Sequence, residues 1–480
     1  MKKVKFIFLI YFFILFFYSC NNSKKTNQEQ KEKLDVRDIN TALPLMIIDT
    51  LTGINIIKCH LDTSFSYSLY IPKKYKPSSP SALMVFCDPH AKGLFPVKKY
   101  KTLADKYGFI FAGSYNSKNG MAQELGMQAI EMIINDVKAK MKVDAKRIYT
   151  SGFSGGARVA AAEGLLRGGI AGVIGCGAGF PSLDKIPSNK FRYITIVGNE
   201  DFNYSELYQL DKDLEQIKFP RQLIVFDGKH EWCPVDVMDE AMQLLQLYAM
   251  QDDLTTENDS IVNHYYKNVE HEFDSLKKFQ NILKQFLLIN KANIALGDLV
   301  HKSDLPSLVE FKSSHDVKTR ILETEDFFKA EQGLREGYVN SMATKDEKWW
   351  KEQVGKMRND IKTRPSAEGN TLKRVLNYLS LAAYMNASHF ISQKQYEEAG
   401  QYLKIYGMVD PENPDVYYLS AQLNALQSKN NEALKELQMA AENKYTDLNN
   451  LESDAAFKLI RASADYEKIR QKVAENASKE

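Results

Sequence analysis

Three residues of this chain have the types and the order needed to attack a carbonyl carbon: Ser154, Asp201 and His230. A serine hydroxyl is a weak nucleophile near neutral pH and needs a base to take its proton as it attacks. An imidazole can take that proton and return it to the leaving group. A carboxylate holds the imidazole in the right tautomer and stabilises it once charged. Ser154 lies in Gly152-Phe-Ser-Gly-Gly156, a G-x-S-x-G stretch. Arg147 to Ser151 before it read as a short β-branched and aromatic strand, and Ala157 to Leu166 after it read as helix. Strand, tight turn and helix in that order leave the serine exposed at a helix N-terminus, where backbone N–H groups and the helix dipole favour developing negative charge. Side chains at Gly152 or Gly156 would collide with strand or helix.

The other two groups follow in the order acid, then histidine. Asp201 falls in Gly198 to Tyr204, after a strand ending at Val197, and His230 falls in Asp227 to Pro234, after the next strand. Glu200 and Asp227 are neighbouring carboxylates that could take the acid's place. An oxyanion needs two donors. Gly155 N–H is one, and the loop Asp88-Pro-His-Ala-Lys-Gly93 is expected to give the other. Pro89 has no N–H, so His90 or Ala91 is the expected donor, although Asp88 and His90 would equally suit a structural turn.

The elements that must position these groups alternate between strand and helix, the pattern of a mostly parallel α/β sheet covered on both faces. Strands are expected at 66–72, 82–87, 107–112, 147–151, 170–175, 192–197 and 221–226, with helices over 121–141 and from Pro234 to about Tyr248. Parallel strands deliver their following loops to one edge, where groups distant in sequence can meet. The domain carrying them is expected to span 39–250.

Val143-Asp-Ala-Lys-Arg-Ile-Tyr-Thr-Ser-Gly-Phe-Ser-Gly-Gly156, with Gly228-Lys-His-Glu-Trp232 later, resembles the α/β-hydrolase superfamily. The nearest likeness is to esterases grouped with polyhydroxyalkanoate depolymerases and with feruloyl or acetylxylan esterases. The resemblance implies a doubly wound α/β-hydrolase domain that hydrolyses carboxylic esters through an acyl-enzyme, with no cofactor and no metal. Phe153 and Trp232, beside the serine and the histidine, are the expected substrate contacts. Two departures bear on the substrate pocket: Cys233 intervenes before Pro234, and Asp88-Pro89 replaces the family's His-Gly. The same triad cleaves amides, so a serine peptidase is the alternative within enzymes. A repeat-bearing scaffold with a hydrolase-like binding module is the alternative outside them.

The 480 residues exceed one compact core. Charge is balanced, with 63 Lys+Arg against 61 Asp+Glu, and no basic patch interleaved with aromatics points to nucleic acid. Cys59, Cys87, Cys176 and Cys233 lack metal-ligand spacing, and no disulfide among them can be assigned. Lys2, Lys3 and Lys5 precede the apolar run Phe6 to Tyr18 and then Ser19-Cys20, which resembles a bacterial lipoprotein signal (1–19) with Cys20 as the lipidated residue. Residues 20–38 read as a polar tether, which places the body in the cell envelope, lipid-anchored and facing the periplasm.

From residue 251 helical periodicity takes over: a helical linker domain over 251–365, then repeats over 366–480. Lys362 to Asn370, with Pro365 and Gly369, reads as the link between them. Trp349 and Trp350 read as helix packing. Ala421, Ala433 and Leu437 recur thirty-four positions after Ala387, Ala399 and Leu403, a tetratricopeptide-like period, and a degenerate third unit is expected from Asp454 through Ile469. Such repeats can offer a surface to a protein partner, while the substrate expected at the triad is a small-molecule or carbohydrate ester. Chemistry is expected to reside wholly in 39–250, so that a folded chain ending near Asp253 keeps small-ester turnover. The leader makes its own prediction: Cys20→Ala should release the protein from the membrane fraction or leave the precursor uncleaved, as read by fractionation and N-terminal mass.

Overall fold

The structure, a computed structural model, describes residues 53–180, 191–300, 308–364 and 366–479; the expected leader, Cys20 and the tether lie outside the described residues. Eight strands are present: β1 (Ile54–Lys58), β2 (Ser66–Tyr70), β3 (Ser81–Cys87), β4 (Ile110–Ser114), β5 (Val143–Phe153), β6 (Gly172–Cys176), β7 (Arg192–Gly198) and β8 (Arg221–Phe226). They form one sheet in the order β1-β2-β4-β3-β5-β6-β7-β8. The pairs β1–β2 and β2–β4 are antiparallel, and every pair from β4–β3 to β7–β8 is parallel. This is the α/β-hydrolase sheet.

Strand chemistry explains the layers. Side chains alternate across a strand, so a central strand must be apolar on both faces. In β3, Met84 and Phe86 enter one core with Tyr100 and Leu103 of α1 (Leu94–Tyr107) and Met238 and Leu245 of α5 (Val235–Gln251). Leu83, Val85 and Cys87 enter the opposite core with Ile130 and Ile133 of α2 (Gln123–Lys140). Ala160 and Ala161 of α3 (Gly155–Leu166) and Leu207 and Leu210 of α4 (Tyr204–Gln216) complete that second face.

Around the sheet the structure departs from the sequence reading. The edge strand β1 is additional, because its residue types do not follow its burial: Asn55 is buried while Ile56 is 68% exposed. Tyr107 and Gly108 are not in a strand. Tyr107 ends α1, and Gly108 caps it at φ 72°, so β4 starts at Ile110. The apolar unit around the sheet also runs past residue 250. Val262, Tyr265 and Val269 of α6 (Asp259–Lys278) and Leu288, Ile289 and Ala292 of α7 (Ile282–Leu296) share one core with Leu244 and Tyr248.

A second core gathers the rest of the chain. After the short α8 (Leu308–Ser313) come α9 (His315–Met342), α10 (Glu347–Thr363), α11 (Ser366–Ser392), α12 (Tyr396–Val409), α13 (Pro414–Leu426) and α14 (Asn430–Glu442). This core starts at Met342 and Trp350, ahead of the expected boundary at 366, and continues to Val473. Trp350 is fully buried in it with Trp349 edge-on at 5.2 Å. Gly369 lies inside α11, so the expected link shrinks to the few residues between Thr363 and Ser366. Ala387, Ala399, Ala421 and Ala433 are fully buried where the paired helices α11/α12 and α13/α14 meet. The turn of each pair passes through a left-handed residue, Lys394 in one and Ser428 in the other, thirty-four positions apart. The expected third unit is broken into α15 (Leu448–Ser453), a 3₁₀ turn (Ala455–Leu459) and α16 (Ala464–Lys479).

Glu163 of α3 is 2% exposed, and one of its carboxylate oxygens has no hydrogen-bond partner among the described residues. Burial first, and the charge of Glu131 second, push its pKa up to about 8 from 4.5. The folded chain therefore retains a proton that the unfolded chain loses. The resulting stabilisation is full below the unfolded value and is lost as pH rises through the folded one. Glu163→Gln, neutral at every pH, should match the parent in urea denaturation near pH 4.5 and exceed it at pH 8.5 by on the order of 4 kcal/mol.

Candidate active site

β5 ends in a turn that few sequences could follow. Ser154 has φ 51° and ψ −122°, a backbone region that residues with a side chain rarely adopt. A Cβ on Gly152 would lie 2.2 Å from Gly156 O, and one on Gly156 would lie 2.1 Å from Cys87 O. Both positions therefore require glycine. Ser154 N–H donates to Cys176 O at 2.8 Å, which ties the turn to the neighbouring strand β6.

Two further strand ends bring the base and the acid. Ser154 Oγ and His230 Nε2 are 3.0 Å apart. His230 Nδ1 is 2.9 Å from Asp201 Oδ2 and 3.0 Å from Oδ1. Asp201 is fully buried, and its Oδ1 also accepts the Asn203 N–H at 2.8 Å. The imidazole lies between two phenyl rings, with centroids 4.7 Å away for Phe153 and 4.3 Å for Phe202. This environment leaves the ring one acceptor on one side and one hydroxyl on the other. It is an arrangement for passing a proton between Oγ and Nε2 while Nδ1–H stays bonded to the carboxylate.

The neighbouring carboxylates are engaged elsewhere. Glu200 pairs with Lys373 at 2.6 Å, and Asp227 accepts from the Asn199 amide. The loop after β3 departs from expectation more sharply. His90 N–H donates to Asp88 Oδ1 at 2.8 Å, and Ala91 N–H donates to Asp88 O at 3.1 Å, so the turn itself consumes both expected oxyanion donors. Asp88 is the reason: an aspartate before proline folds its own side chain onto the following N–H groups. Its second oxygen accepts the Trp232 indole N–H at 2.9 Å, which locks the β3 loop to the histidine loop. Trp232 is accordingly 5% exposed, packed beneath Phe153 with ring centroids 5.9 Å apart, and it supports the site rather than lining its open side. Gly155 N–H remains at the start of α3, where no intrahelical acceptor exists.

Sequence reasoning missed three neighbours. Phe202, which in sequence is only part of a loop, packs on the imidazole with ring centroids 4.3 Å apart. Asn119, in the turn after β4, places its Oδ1 1.8 Å from where a Gly155 Cβ would be, so its exposed side chain closes against that glycine. Gly177, at φ 67°, faces both His230 and Asp201. None carries a motif of its own. Among the described residues no group of three or more His, Cys, Asp or Glu could hold a metal ion. The four described cysteines are free and buried, with the Cys176 and Cys233 sulfurs 3.9 Å apart.

Sheet order and site together define an α/β-hydrolase-fold domain whose serine, histidine and aspartate form one hydrogen-bonded run. No family model matches the chain, and no curated protein matches it. Several solved structures are similar to part of it. An S-formylglutathione hydrolase from Staphylococcus aureus is 13% identical, with a TM-score of 0.33 over 42% of this chain and 99% of its own. A thermophilic esterase from Thermogutta terrifontis is also 13% identical, with a TM-score of 0.33 over 43% of this chain and 95% of its own. A candidate dipeptidyl aminopeptidase IV from Bacteroides ovatus is 16% identical, with a TM-score of 0.32 over 39% of this chain. This chain spans only 34% of that protein's length. Likenesses of this size say nothing about the reaction.

Gly177 generates a direct test. A Cβ there would lie 3.1 Å from both Asp201 Oδ2 and His230 Cε1, on a backbone that disfavours any side chain. Gly177→Ala should lower kcat on an activated ester by about 10- to 100-fold with an unchanged far-UV spectrum, because small misplacements of reacting groups cost that much.

Proposed function

We propose that the chain is a serine hydrolase that cleaves carboxylic esters, and the hydrogen-bonded run Ser154–His230–Asp201 is the observation that carries this reading. In the first half-reaction Ser154 Oγ attacks the ester carbonyl carbon while His230 Nε2 takes the hydroxyl proton. The tetrahedral oxyanion is met by the Gly155 N–H at the start of α3. Collapse breaks the bond to the alcohol oxygen, and the imidazolium returns its proton to that oxygen, leaving an acyl-Ser154. Water then repeats the sequence: its oxygen bonds to the acyl carbon as His230 takes its proton, the acyl–Oγ bond breaks to release the carboxylic acid, and the imidazolium returns the proton to Ser154 Oγ. Asp201 keeps its negative charge throughout and holds Nδ1–H.

The substrate class proposed is a small-molecule or carbohydrate ester, and the proposed location is the cell envelope, through a lipidated Cys20. Among the described residues no helix is long and apolar enough to cross a membrane.

The test is covalent labelling followed by turnover. A fluorophosphonate should add one mass increment to the chain, mapped to Ser154. A panel of aryl esters, acetylated sugars and feruloylated sugars should show turnover, with a matched anilide as the amide comparison. Ser154→Ala should abolish labelling and lower kcat by roughly 10⁴-fold or more. Unlabelled parent protein, or labelling that survives Ser154→Ala, would sink the assignment; faster anilide cleavage would move it to a peptidase.

A further inference from the structure

The acid of the triad sits on a loop that is held from outside its own domain. Between β7 and α4, the carbonyls of Asn199, Glu200 and Phe202 all face helices of the second half. Asn199 O accepts from Arg374 Nη1 at 2.8 Å, Glu200 O from Asn377 Nδ2 at 3.0 Å, and Phe202 O from Arg335 Nη2 at 2.7 Å. Lys373 adds the ion pair to the Glu200 carboxylate at 2.6 Å. In residues 199–202 the exception is Asp201, whose carbonyl accepts the Tyr204 N–H within the loop and whose carboxylate meets His230.

Behind the carbonyls the two guanidinium groups share one counterion. Glu331 on α9 accepts Arg374 Nε at 2.8 Å and also pairs with Arg335, and the side chains of Glu331 and Arg374 are 1% and 5% exposed. Arg374 lies over Tyr204 and Phe328, 5.5 Å from each ring centroid, and Arg335 lies over Tyr378 at 4.7 Å. Buried ion pairs are poor sources of stability, because desolvation offsets their attraction and apolar replacements often do as well. What such a cluster does supply is direction: planar guanidinium groups with several fixed N–H vectors hold their acceptors in one geometry.

We propose that Arg335, Arg374, Asn377 and Lys373 are positioning residues that fix the backbone on both sides of Asp201, so that the helical half sets the catalytic geometry of the α/β domain. The proposal rests on the ester-hydrolase reading for its consequence, and none of the four touches the reacting atoms. It predicts the opposite of the expectation that a chain ending near Asp253 keeps small-ester turnover. Such a chain retains Ser154, His230 and Asp201 but loses every one of these donors.

The test uses the full mature protein. Arg374→Met leaves Glu331 with fewer partners and can unfold the chain, so the decisive variant is Lys373→Met/Asn377→Ala, whose side chains lie at the boundary. Lys212→Met is the control, because it breaks another ion pair between the halves, with Glu325, away from the acid loop. The double variant should show faster amide hydrogen exchange over residues 199–204, and kcat on an aryl ester should fall about 10-fold or more at nearly constant KM. The control should change neither. Arg374→Lys, which can satisfy Glu331 or Asn199 O but not both, should retain more kcat than Arg374→Met where both fold. Unchanged exchange over 199–204 in the folded double variant overturns the clamp whatever the activity. Faster exchange with unchanged kcat overturns its catalytic role. A parent that fails to react with fluorophosphonate sinks the ester-hydrolase reading and, with it, the catalytic meaning of the clamp, and that failure is visible before any variant is made.

Discussion

A serine held at φ 51° and ψ −122° fixes where everything else in the site must arrive. The conformation costs about 1–3 kcal/mol, so it persists only because its surroundings leave no alternative. β5 is the surrounding that matters most. It lies in the middle of the sheet, bonded to β3 on one side and β6 on the other, and α3 leaves it directly with Ala160, Ala161 and Leu165 buried against the sheet. Strand and helix are each committed by their own packing, and the turn between them absorbs the strain. Once Oγ is aimed off the sheet's edge, loops at the same ends of the other parallel strands can reach it. Those after β7 and β8 carry Asp201 and His230.

Much of this was legible in the residues. Continuous apolar runs such as Ala82 to Cys87 and Arg192 to Val197 identify buried strands, and G-x-S-x-G between strand and helix identifies the elbow. The order serine, acid, histidine then selects Asp201 and His230, and these groups lie within hydrogen-bond distance of each other. What was not legible follows from long-range partners. Asp88 reads as a turn former, and it is one, but its bond to Trp232 joins positions 144 apart in sequence, which no local pattern records. That single residue, through its carboxylate for His90 and its backbone carbonyl for Ala91, removes both from the oxyanion role and draws Trp232 under the site. Asn119 and Gly177 approach the site for the same kind of reason, through strand neighbours rather than through motifs.

The division into halves was the least legible feature. Composition shifts from strand to helix near residue 250, yet packing does not follow composition. Helices α6 and α7 complete the core on one face of the sheet, while the second core starts at Met342. The alanines of the thirty-four-residue recurrence, Ala387, Ala399, Ala421 and Ala433, are fully buried. The recurrence gives no hint that Arg374, on α11, reaches back to Asn199.

That reach has a kinetic side. The donors on α9 and α11 lie between 133 and 177 positions along the chain from the carbonyls they hold. Contacts of such separation close large loops, and they form late compared with neighbouring strand and helix pairings. The sheet, with its serine already strained into place, can therefore assemble while residues 199–202 are still free. Loop-closure entropy thus favours an order in which the serine's elbow forms before the helical half fixes the acid.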